Sequence, residues 1–154
     1  MKKRLQIRMQ TDNNSVRASQ AGINRYYEGK YLISDITSIT DVFCGSTIAS
    51  LQTTLAACCA NGMKLPLHET DLSSLGTTEE MPAADLVQAA IRDAFTKIKN
   101  GGHGLIFCDL RTIQVIISSF GLNIIDTHPR PCEGFMFEQD DQDEITVPGI
   151  LRIL

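Results

Sequence analysis

Few residues in this chain are of a type that can do chemistry. There are five cysteines, Cys44, Cys58, Cys59, Cys108 and Cys132, and three histidines, His68, His103 and His128; Asp126 stands two places before the last histidine. Cys44 lies just ahead of the run Ser46–Ala60, which reads as a helix. The free amides of a first helical turn carry about half a positive charge, and that field favours the thiolate, the nucleophilic form of cysteine. Asp126 and His128 are spaced i, i+2, so on a strand they share a face. A carboxylate beside an imidazole fixes its tautomer and supports its cation. A thiol with a base, and the base with an orienting group, is the arrangement nucleophilic catalysis requires. Taken singly, each piece has a plainer meaning. Free cysteine is often a small buried hydrophobe, and Asp-x-His at a strand end is often a solvated pair.

These groups must be positioned by the elements around them. Ile48, Leu51, Leu55 and Cys58 or Cys59 recur at the spacing of one buried helical face, with Ser46 or Thr47 to cap the start and Asn61-Gly62 to end it. A second helix is expected from about Pro82, with Val87, Ile91, Ala94 and Ile98 on its apolar face and Asn100-Gly101-Gly102 as its stop. The period then changes. Gly104–Cys108, Thr112–Ile117, Leu122–His128 and Ile150–Leu154 read as strands, and the short links between the first three predict antiparallel neighbours. Before Tyr26 only Leu5–Met9 alternates like a short strand. Helices followed by an antiparallel sheet describe an α+β domain over residues 1–154, with 1–25 as a poorly defined lead-in.

Composition narrows the class. The 154 residues are 43% hydrophobic and 21% charged, enough to build a core without disulfide or metal staples. Fourteen basic against eighteen acidic residues give a net charge of −4, the opposite of a phosphate-backbone binder, so no nucleic-acid partner is expected. No apolar run reaches the ~18 residues of a membrane span. Lys2-Lys3-Arg4 is followed by polar residues rather than the apolar segment of a signal peptide. An odd number of cysteines without a regular framework suits a reducing compartment, cytoplasm or nucleus. There is no CxxC, and the histidines have no zinc-ligand spacing. His68 and His103 read as loop and helix-end residues without a site role. The acidic run Glu138–Glu144 lacks the glycine and ligand order of a calcium loop, and reads as a solvated loop.

The stretch Gly104–Cys108, Arg111–Ile116, Gly121–Arg130, Gly134 and Gly149–Leu151, ending its third strand in Asp126-Thr127-His128-Pro129, resembles the herpesvirus large-tegument-protein deubiquitinases and the OTU-like proteases related to them. The resemblance covers about fifty residues, from Gly104 to Leu154. It implies a papain-like cysteine protease fold and a ubiquitin-directed protease in an intracellular compartment, that of the host cell for a viral protein. The partner implied is ubiquitin or a ubiquitin-like protein, cleaved after its Gly-Gly tail, and no cofactor is implied. Cys44 would be the nucleophile, His128 the base and Asp126 its orienter. Two departures favour a second expectation, a weakened or inactive ubiquitin-binding scaffold of the same fold. Tyr31-Leu32-Ile33 stands where those proteases carry an oxyanion glutamine, and Phe43 replaces the glutamine before the cysteine. A third expectation is a cysteine acyltransferase on the same geometry. The chain closes on its last predicted strand, as a domain cut from a longer polypeptide would.

Overall fold

A computed structural model describes all residues except 1, 12, 15–16, 64–66, 75–80, 123–129 and 153–154. The chain opens on β1 (Lys3–Met9), a two-residue pair β2 (Asn13–Asn14) and β3 (Arg17–Ala18), and α1 (Gln20–Tyr27), capped by the Ser19 hydroxyl. Next come β4 (Asp41–Cys44), α2 (Ile48–Ala60), β5 (Leu67–Glu69) and α3 (Ala84–Lys97). The chain continues through β6 (His103–Cys108), α4 (Leu110–Ser119), β7 (Gly134–Gln139) and β8 (Ile145–Leu151). The main sheet has the order β5-β4-β6-β1-β7-β8. Its first four strands are mutually parallel, and β7 and β8 extend it as antiparallel strands.

The expected α+β papain-like fold with an antiparallel sheet is therefore wrong. The error has a physical source. Thr112–Ile117 is rich in β-branched residues and reads as a strand, yet it lies within α4. Asp109 caps that helix, its carboxylate accepting the Thr112 N–H at 3.0 Å. Ile113, Ile116 and Ile117 bury one helical face. Burial against the sheet outweighs the few tenths of a kcal/mol by which each isoleucine disfavours a helix. With a helix between β6 and the next strand, the connection is a crossover. A short hairpin link, and the antiparallel pairing it implied, disappear. The strand expected over Leu122–His128 falls largely outside the described residues. The acidic run ends β7 and makes the turn into β8, with Asp140 Oδ1 accepting the N–H groups of Gln142 and Glu144, both at 2.9 Å.

The part expected to be a lead-in holds β1, which lies between β6 and β7. Leu5, Ile7 and Met9 face an apolar core with Val87, Ile91 and Phe95 of α3 and Ile113 and Ile116 of α4. Each such side chain contributes about 1.5–3 kcal/mol on full burial. The other face of β1 carries Gln6, Arg8 and Gln10, all buried. Beside it a second core joins Tyr26 of α1, Ala56 and Ala57 of α2, and Val42, Leu105 and Phe107 of the sheet. β8 is the outer strand, half exposed along its length. It holds Pro148, which an edge tolerates because no ladder bond is required of its nitrogen.

The polar face of β1 is a wired network. Arg8 donates from Nε to Gln6 Oε1 at 2.8 Å, from Nη1 to the Cys132 carbonyl at 2.6 Å and from Nη2 to Ser34 Oγ at 3.0 Å. Because Gln6 Oε1 accepts from Arg8, its Nε2 is a donor, and it reaches the Ser34 carbonyl at 2.7 Å and His103 Nε2 at 3.2 Å. His103 Nε2 must then be the acceptor. Its Nδ1–H faces Ser38 Oγ at 2.9 Å, and that hydroxyl donates to the Asp35 carbonyl at 2.8 Å. Burial first, and the nearby Arg4 and Arg8 cations next, hold His103 down to about 4. The ring is neutral at neutral pH.

The unfolded chain, with an imidazole near 6.5, takes up this proton first as pH falls. Stability is therefore lost between about pH 6.5 and 4, and the loss amounts to on the order of 3 kcal/mol through this one group. Carboxylates titrate over part of the same range, so the test is a difference. The gap in unfolding free energy between wild type and His103→Gln should shrink as pH falls from 7 to 4, measured by urea denaturation. A gap that does not change with pH would contradict a neutral buried imidazole.

Candidate ligand crevice

In a sheet of parallel strands, ligands bind outside the carboxyl ends, where neighbouring strands send their following helices to opposite faces. Here β1 and β4 lead to α1 and α2 beside one core, while β6, which lies between them, leads to α4 beside the other. The carboxyl ends that meet there lead into Gln10-Thr11 after β1, Gly45-Ser46-Thr47 after β4, which ends on Cys44, and Asp109-Leu110 after β6. Thr70 and Ser73, following β5, are buried beside them.

Each lining segment is tied down. Gln10 N–H donates to the Cys108 carbonyl at 2.8 Å and extends the β1–β6 pairing. Thr11 meets α2, its hydroxyl 3.3 Å from Thr53 Oγ1. Thr70 N–H donates to the Cys44 carbonyl at 3.1 Å. The Ser73 hydroxyl donates to the Phe107 carbonyl at 2.5 Å. Thr47 caps α2 by accepting the Ser50 N–H at 3.3 Å, and Ser50 Oγ in turn accepts the Gly45 N–H at 3.4 Å. The first-turn amides of α2 not engaged in this way have no intrahelical partner.

Cys44 stands where the sequence placed it, just before a helix. It is partly exposed, and its thiol donates to the Gly45 carbonyl at 3.3 Å. Burial pushes the thiol upward and a hydrogen bond with Thr54 opposes this only in part. The thiol form is favoured, against the expectation of a helix-stabilised thiolate. Asp126 and His128, the partners expected for Cys44, lie outside the described residues. His68 is on β5 rather than in a loop, and His103 opens β6 rather than ending a helix. Among the described residues no imidazole lines the crevice.

The helix expected over Ser46–Ala60 forms, but with the opposite face inward. Ile48, Leu51 and Leu55 are exposed, while Ser50, Thr53 and Thr54 are buried. The buried threonine hydroxyls bond back to the Ala49 and Ser50 carbonyls, each at 2.8 Å. The crevice itself escaped the sequence reading because four distant segments build it. One signal was available: Asp109 followed by Ile113, Ile116 and Phe120 at helical spacing marks an N-cap and a helix at the end of a strand.

No family model matches the sequence, and no curated protein matches it. Solved structures do. The chain superposes on YhfR of Bacillus stearothermophilus with a TM-score of 0.70, at 9% identity over 95% of each chain. It superposes on the phosphoglycerate mutase of Bacillus anthracis with a TM-score of 0.67, at 10% identity over 97% of this chain and 92% of that one. A candidate phosphohistidine phosphatase, SixA, of Nakamurella multipartitia gives 0.63, at 12% identity over 100% and 98%. The fold is that of phosphoglycerate mutase and the histidine phosphatases. This corrects the resemblance to herpesvirus large-tegument-protein deubiquitinases and OTU-like proteases. It removes the ubiquitin-directed cysteine protease with it, and equally the weakened ubiquitin-binding scaffold and the acyltransferase, since all three stood on a papain-like frame. Among the described residues no helix is long and apolar enough to cross a membrane.

Gly45 is the tightest point of the crevice wall. A Cβ there would stand 2.4 Å from Ser73 Cβ and 3.3 Å from the Ser73 backbone. Gly45→Ala should therefore push the segment after β5 away from β4, at a cost of about 1–3 kcal/mol. Thermal unfolding reads the loss, and a melting temperature equal to wild type would contradict the close packing.

Proposed function

We propose that this chain is a phosphate-ester-binding domain of the phosphatase and mutase fold, with its ligand in the crevice at the carboxyl ends of β1, β4 and β6. The observation that carries the reading is the placement of α2. Its N-terminus opens off β4 directly beside the switch point, and a helix start with free amides is an anion site. At α4 the Asp109 carboxylate already occupies the helix start, so the anion belongs to α2. The fold neighbours support the same ligand class, being named for phosphoglycerate and phosphohistidine.

Binding rather than turnover is the proposed activity. Phosphoryl transfer to an enzyme needs a strong nucleophile among donors or cations that take up charge on the transferring group. Among the described crevice residues the candidate nucleophile is Cys44, whose thiol is held protonated.

The test is titration with 3-phosphoglycerate and with inorganic phosphate, followed by calorimetry. Thr47→Asp retains a good capping residue but sets a negative charge at the anion site. It should weaken binding at least about tenfold, or 1.4 kcal/mol, while the melting temperature stays near wild type. Absence of binding by wild type, or equal affinity in the variant, overturns the reading. Release of inorganic phosphate that Cys44→Ala abolishes would overturn it too, and would make the domain a cysteine-dependent phosphatase.

A further inference from the structure

We draw no further inference here: the strongest candidate, the exposed apolar stripe of Ile48, Leu51 and Leu55 along the outer face of α2, carries nothing because nothing in the structure shows what covers it.

Discussion

The structure depends on a buried guanidinium. Arg8 is 1% exposed on an interior strand, and no carboxylate pairs with it among the described residues. Its charge is met by a carbonyl, a side-chain amide and a hydroxyl, with the Cys132 sulfur 3.9 Å away. Burial lowers the affinity of Arg8 for its proton and raises that of Cys132 and Tyr26 for theirs, so neither of these neighbours is ionised at neutral pH. Burying a charge costs several kcal/mol, and the three hydrogen bonds offset that cost only while all are made. Each ties a different segment: Gln6 on the same strand, Ser34 ahead of β4, and Cys132 ahead of β7. Cys132 takes a left-handed backbone, with φ at 72°, and its carbonyl accepts from the guanidinium.

Because one face of β1 is polar, the two sides of the sheet require different partners. The side of Leu5, Ile7 and Met9 takes the apolar faces of α3 and α4. On the side of Gln6 and Arg8, Ser34 and Cys132 meet the guanidinium, while α2 packs over β4 and β6 through Ala56 and Ala57 and also turns Ser50, Thr53 and Thr54 inward. That choice exposes Ile48, Leu51 and Leu55. Hydrophobic periodicity places those three in the core, whereas the helix buries its small residues Ala49, Ala56 and Ala57 together with the hydroxyls. On this side the hydroxyls satisfy their own helix, Thr11 and Gly45, and the leucines are left outside.

Several elements were legible in the sequence for plain reasons. The α3 face Val87, Ile91, Ala94 and Ile98 is wholly buried, and an apolar core beneath it makes the period decisive. β6 reads as a strand because it is short, apolar on both sides and entered through Gly101-Gly102. α4 was missed because its composition and its period disagree, and period together with the Asp109 cap prevailed. β1 was undervalued because Gln6, Arg8 and Gln10 look solvated in sequence, and only the network that satisfies them makes them interior residues. Of the candidate site, the place of Cys44 before a helix was legible. The crevice was not, since a parallel sheet assembles it from segments separated by up to a hundred residues.

The same parallel frame sets the character of that crevice. An antiparallel sheet would have brought a strand-end imidazole to a thiol by local pairing. Here the carboxyl ends of β1, β4 and β6 bring together loops whose polar groups are mostly spent on one another: Thr11 on Thr53, Ser50 on Gly45, Ser73 on Phe107, Asp109 on Thr112. Groups committed in this way hold a shape and do not readily move protons. What is left to meet a ligand on the proposed reading is the α2 start, with its partial positive charge. On that reading, the chain keeps the anion-holding part of the crevice, while burial pushes the Cys44 thiol upward and favours its protonated form.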